Sequence, residues 1–443
     1  MMKKIIIILF FSSIVYGCSF DNKSRIWTGS EVIAKKNSYN NDNLEPIFKK
    51  TKDQLIVKSQ VTNKNLILLE SNNYKNWQQR YLNNKNNIGN LQYANNGNYE
   101  KLSKISKHPI NENYLIDGDN LIFSDVKGNI TVYSLSKNKL LFTYNFYKKK
   151  LRKNNKNIKL IIKNNIIIAA DNLGYLYALD YRNKKLKWAK NFLVPFRSNI
   201  KIIDNILFIA DEKNKILQID FNNGEKLDEL YTQPAKIVSS FESNLAFDDN
   251  KDLFFLSTTG NLYALNLINN KIIKWVINLN TENDVSFNSK PIIIQNDKIL
   301  ITTKNNIYLY TNKGARLWEK NIESNTKPLI SGNVIFLVNK DNYLILIDVI
   351  TGKILFSDKV SSIISQTFDE KFNKKIKYIK NIFLFNEKLL LISDNAYFLE
   401  LKLDKNMTIN SIMKKPYDIG SDILIVNKKM IIISKKKRIY NNY

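Results

Sequence analysis

The sequence predicts an all-β chain: an eight-bladed β-propeller of four-stranded antiparallel blades, with the ring closed by an N-terminal strand. Three observations carry this expectation. One unit (an apolar run, a tight turn, an alternating strand and an aromatic strand) recurs along the chain, its spacing is that of propeller blades, and no segment sustains a helical period. The clearest copies are 164–192 and 251–279. In both, Gly-x-Leu-Tyr-Ala-Leu is followed by a Lys-Trp whose Trp stands 14 or 15 residues after the Gly.

The chain opens on "MMKKIIIILFFSSIVYGC". Two lysines, a short apolar run and small residues predict a signal peptide over 1–17, because the run is too short to span a bilayer comfortably. Cys18 is the sole cysteine of the 443 residues, so no internal disulfide accounts for it. Residues 18–76 are polar, with apolar alternations at Leu55-Ile56-Val57 and Leu66 to Leu69, and predict an extended tether. The propeller is expected over 77–443.

Aligned on the turn, the copies anchor at Gly128, Gly174, Asn214, Gly260, Asn305, Asn342, Ala396 and Lys437. An apolar strand precedes each anchor, such as Ile166-Ile167-Ile168, and an alternating strand follows, such as Leu344-Ile345-Leu346-Ile347-Asp348. Gly and Asn between two such strands predict hairpins, because both tolerate positive φ. A second turn leads to a strand bearing Trp188, Trp275, Trp318 or Phe356, and a further strand such as Lys201-Ile202-Ile203 leads into the next copy. The recurring aromatic reads as a wedge between blades rather than a stacking surface for a ligand. The eighth copy stops before its aromatic strand, so the segment around Trp77 is expected to complete the last blade and hide its edge.

The formal charge of +28 raises the possibility of nucleic-acid or anionic-membrane binding. The lysines, however, are spread over the turns of every copy, with only short clusters at Lys148-Lys149-Lys150 and Lys435-Lys436-Lys437-Arg438, and no nucleic-acid-binding motif accompanies them. We read them as solvated turns in an Asn- and Lys-rich composition, with no nucleic-acid partner. Catalytic signals are thin: His108 is the single histidine, beside Lys107 and Pro109, and no phosphate-binding or dinucleotide fingerprint is present. No catalytic residue, metal ligand or cofactor is assigned.

Gly-x-Leu-Tyr-Ala-Leu-Asp with a following Trp resembles the pyrroloquinoline-quinone (PQQ)-type propeller repeat. Val15-Tyr16-Gly17-Cys18 resembles a bacterial lipobox, with Tyr16 at a position that is usually small. Together with "NWQQ" at 76–79, the chain resembles the BamB family of outer-membrane lipoproteins, in its alphaproteobacterial branch. The resemblance implies a non-catalytic subunit of the machine that assembles outer-membrane β-barrels. Such a subunit would be acylated at Cys18, as with palmitate, and held on the outer membrane facing the periplasm. Ser19 after the Cys fits outer-membrane sorting. Its implied partners are the periplasmic domains of the barrel-forming subunit and, more loosely, unfolded outer-membrane proteins. The family's Leu/Arg interface loop falls on Leu193, Val194, Pro195, Phe196 and Arg197. Its acidic residues in the next blade's loop fall near Asp248 and Asp249 in "SFESNLAFDDN". Two other readings stay open: a quinoprotein dehydrogenase-like cofactor binder, although no vicinal Cys pair exists, and a generic periplasmic propeller binding sugars or peptidoglycan.

Overall fold

The computed structural model of the chain describes residues 66–148, 151, 153–235, 241–267, 272–280 and 287–442. The expected signal peptide, Cys18 with its lipobox, and the alternation at Leu55-Ile56-Val57 lie outside the described residues. Eight sheets follow one another along the described chain: 110–145, 158–191, 201–230, 244–278, 293–320, 329–359, 379–414, and 419–442 with Tyr99–Lys104. Within each, neighbouring strands of the hairpin series pair antiparallel. They form an eight-bladed β-propeller.

Local chemistry accounts for the hairpins. Seven of the eight expected anchors, all but Asn305, hold φ between 58° and 87°. In the fifth blade the turn is closed by a side chain instead: Thr303 Oγ1 accepts from the Asn306 amide at 3.2 Å. Burial then falls from channel to rim. In the second blade Ile166–Asp171 is buried throughout, whereas the outermost strand Lys185–Asn191 buries Trp188 and leaves most of its length exposed. A bulge recurs in the outermost pair of blades one to seven, as between Leu186 and Trp188. It twists the exposed strand, which makes a flat partner edge less available.

The repeated aromatic joins blades. Trp188 Nε1 donates to Phe221 O at 3.0 Å, Trp275 Nε1 to Asn312 O at 3.0 Å and Trp318 Nε1 to Val349 O at 2.8 Å. Each acceptor lies in the next blade's outer turn. That turn carries a glycine beneath the indole, because a Cβ on Gly224 would stand 2.4 Å from the Trp188 ring. Two short helices, Val360–Ser365 and Lys371–Lys375, connect the sixth and seventh blades.

The strand on the rim of the last blade is Tyr99–Lys104, paired antiparallel with Arg438–Asn442, and not the segment around Trp77. Trp77 instead bridges Ile116 of the first blade and is buried in that blade's core. The difference is physical: Tyr99–Lys104 buries only Leu102 and half-buries one neighbour, the profile of an outermost strand, whereas Trp77 is a core side chain.

The rest of 66–94 lies across one end of the ring, against the innermost strands of blades one to seven and the first turn of the eighth. Trp77 bridges Ile116, Gln79 bridges Ile161, and Asn84 Nδ2 donates to Ile202 O. Asn84 O accepts from Phe247 N at 2.9 Å, Lys85 O from Ile294 N at 3.0 Å and Tyr74 O from Asn427 N at 2.9 Å. Leu69 N donates to Ser331 Oγ, and Asn90–Leu91 pairs parallel with Leu384 and Phe385, adding a fifth strand to the seventh blade.

Candidate functional site

The two ends of the ring differ. At the floored end, each innermost strand turns into the second and the 66–94 segment closes the channel. At the open end, or mouth, the innermost strands begin and the loops from preceding blades arrive. The mouth cavity, about 620 Å³, is lined by Arg80 and Tyr81 from the floor, by Asn155 to Lys159, and by Phe241 to Asn244. A second chamber of about 340 Å³ shares Arg80, Tyr81, Asn113 and Pro291 with it and is lined further by Lys290, Lys327, Leu329 and Asp422.

Glu242 organises the mouth. Arg80 Nη1 donates to its carboxylate at 2.7 Å, and Lys159 Nζ lies 2.6 Å from the same oxygen. Burial opposes the charge on Glu242, yet Lys159 and Arg80 outweigh it and hold the carboxyl at about 2. Lys159 is buried more deeply, at 5% side-chain exposure against 28% for Glu242, and burial brings its ammonium down to about 8 despite the ion pair. Burial likewise lowers Lys327, to about 7. Deeper still, Lys201 is wholly buried. Its ammonium donates to Gln79 Oε1 at 3.2 Å, Asn83 O at 2.7 Å and Asn86 Oδ1 at 2.7 Å, which fastens the floor to the third blade.

The sequence-assigned loop Leu193–Arg197 belongs to this mouth end, between the outermost strand of the second blade and Lys201–Ile203. Leu193 stands 83% exposed at a left-handed φ of 63°. Its backbone rests on the turn glycine: a Cβ on Gly174 would lie 2.9 Å from Val194 N and 3.1 Å from Leu193 N. Val194, Pro195 and Arg197 are half-buried. Phe196 is buried in the core between the second and third blades, edge-on to Phe192, so its ring supports the loop from beneath. Arg197 N is fixed to Ala210 O at 2.9 Å, and the Arg197 charge is close enough to oppose that of Lys159.

Asp248 and Asp249 are elsewhere. They form the turn between the first two strands of the fourth blade, at the floored end, where Lys85 pairs with Asp249 at 2.7 Å. The acidic residue in the loop equivalent to 193–197 is Glu242, two residues before the strand Asn244–Phe247 and within the same "SFESNLAFDDN" run. Counting back from the start of the innermost strand, rather than forward to the nearest acidic pair, finds it. His108 sits in a turn, its amide donating to Ser106 Oγ. Among the described residues no group of three or more His, Cys, Asp or Glu side chains is placed to hold a metal ion.

Residues 156–358 match the family model described as "Outer membrane protein assembly factor BamB". A curated protein of Rickettsia prowazekii (strain Madrid E), "Uncharacterized protein RP232", is 23% identical over 256 residues, covering 54% of this chain and 60% of the relative. The chain thus matches less than two thirds of that relative's length. Of solved structures, BamB from Moraxella catarrhalis superposes with a TM-score of 0.58 at 12% identity, covering 78% of this chain and 98% of that one. A europium-containing methanol dehydrogenase gives 0.57 at 10% identity, covering 81% and 89%. At such identities both likenesses concern the fold alone. The chain is thus an eight-bladed β-propeller whose residues 156–358 match the BamB family model and whose fold is similar to that of BamB from Moraxella catarrhalis.

Proposed function

We propose that the chain is a non-catalytic scaffold of the machinery that assembles outer-membrane β-barrels, docking its mouth face onto the periplasmic domains of the barrel-forming subunit. The observation that carries this reading is the loop 193–197. It offers Leu193 to solvent beside half-buried Val194, Pro195 and Arg197, on a base fixed by Gly174 and Phe196, within the stretch that matches the BamB family model. An exposed apolar side chain next to an arginine on a rigid base suits an interface hot spot. In this reading Cys18 carries the lipid anchor, the protein faces the periplasm from the outer membrane, and the ring assists insertion of outer-membrane proteins. The intact mass of the membrane-extracted protein reads the acylation directly, and an unmodified Cys18 would remove the anchor.

Affinity purification from membranes tests the docking. Arg197→Glu should reduce recovery of the barrel-forming subunit by at least about tenfold. Its effect on folding stability should stay within about 0.5 kcal/mol, as for a surface change. Wild-type recovery by both Arg197→Glu and Leu193→Asp would sink this assignment of the face.

A further inference from the structure

The 340 Å³ chamber beside the mouth cavity holds more cationic than acidic groups. Arg80, Lys290, Lys327 and Lys380 line it, with Asp422 as the acidic member. Lys380 is drawn to Asp394 at 2.7 Å, outside that set. Lys290 Nζ donates to Asn325 O at 3.2 Å and Lys327 Nζ to Asn86 O at 2.9 Å, with Lys327 also 4.4 Å from the Tyr81 ring centroid. Among the described residues neither ammonium makes an ion pair with a carboxylate. Arg80 gives one nitrogen to Glu242, while its Nε is buried with no hydrogen-bond partner among the described residues.

Lys290 and Lys327 are half-buried, and holding such cations partly out of water against carbonyl oxygens costs stability that apolar residues of similar volume would not. Cations that converge on a cavity at a cost to stability mark it as a candidate ligand site. The chamber's 340 Å³ lies within the usual range for small-molecule sites, and it shares Arg80, Tyr81, Asn113 and Pro291 with the wider mouth cavity.

The geometry points to this chamber as the binding site of a small polyanion carrying at least two phosphate or carboxylate groups, held by Arg80, Lys290 and Lys327. An oxyanion there completes the Arg80 Nε–H and the spare donors of both ammoniums with charge-assisted bonds. The site goes beyond the docking reading and does not depend on it, since none of its three cations belongs to the 193–197 loop.

Isothermal titration of the full-length chain tests it, with inorganic pyrophosphate as the probe and acetate at equal ionic strength as the control. Saturable one-to-one binding of pyrophosphate is expected with Kd below about 100 µM, at least about a hundredfold tighter than acetate. Lys327→Met should weaken it by about tenfold or more while the melting temperature holds or rises, and Lys290→Gln should act in the same direction. Lys327 faces Tyr81, Arg80, Asp422 and Lys201, and burial lowers its ammonium to about 7. Pyrophosphate binding no tighter than acetate, or unchanged in both variants, overturns the proposal. So does a lysine whose loss collapses the melting curve without altering affinity in the Lys290→Gln chain. An acidic peptide that binds through Lys327 where pyrophosphate does not would assign the chamber to a protein segment and overturn the small-ligand reading.

Discussion

Lys201 and Glu242 carry opposite charges, yet both fix the same segment of chain. The Lys201 ammonium reaches three oxygens of the floor, and Glu242 draws Arg80 of that floor toward the loop that enters the fourth blade. The pH dependence of the second contact has a definite sign. Glu242 has an ordinary value of 4.5 and is held at about 2 in the folded chain, so its contribution is complete above about 4.5 and disappears as pH falls from there toward 2. Denaturant unfolding at a series of pH values should show stability falling over that window. Glu242→Gln should be less stable at pH 6, where Lys159 and Arg80 lose their carboxylate, and its curve should be flatter below 4.5. An identical acid profile in both chains would mean that other carboxylates set the acid limit. Neither residue was evident from sequence, because Lys201 resembles the many turn lysines and its burial depends on a floor 115 to 122 residues away.

At the scale of the element, the turn and the wedge were legible because they are short-range chemistry. A residue tolerant of positive φ between an apolar strand and an alternating one makes a hairpin wherever it occurs, and a recurring indole fits only a recurring position. What could not be read is the outer-strand bulge, since one extra residue in a solvated strand leaves no mark on the hydrophobic pattern. The wedge also depends on a glycine in the following blade. Gly224 holds φ at 73°, and a Cβ there would stand 2.4 Å from the Trp188 ring. Gly224→Ala therefore meets backbone strain and a clash together, and should cost about 2–4 kcal/mol, read as a lower denaturation midpoint. Trp188→Phe in the same chain should recover part of that loss by vacating the contact. A neutral Gly224→Ala would show that the indole shifts freely and that the inter-blade wedge is loose.

At the scale of the molecule, the number of blades was legible and the way the ring is closed was not. Tyr99–Lys104 reads "YEKLSK", a polar stretch with one leucine, whereas Trp77 offered the repeat's own aromatic; the weaker pattern is nevertheless the one on the rim. The floor was hidden for a related reason: it is joined to all eight blades largely by backbone and amide hydrogen bonds, which a hydropathy pattern does not register. Floor and closing strand are consecutive in the chain, so truncation can separate their contributions. A chain beginning at Leu66 keeps both and should melt like the full-length protein. One beginning at Asn95 keeps the rim strand but loses Trp77 and Leu91, which are 3% and 1% exposed. It should stay monomeric and lose at least about 3 kcal/mol, the usual cost of removing a buried tryptophan. One beginning at Ile105 also strips Arg438–Asn442 of its partner and leaves an open sheet edge, so it should in addition associate through that edge. Light scattering and thermal melts on the three chains give the order. Aggregation of the Asn95 chain as severe as that of the Ile105 chain would place ring closure in the floor rather than in Tyr99–Lys104, and a monomeric Ile105 chain with an unchanged melt would mean that the last blade is stable with three strands.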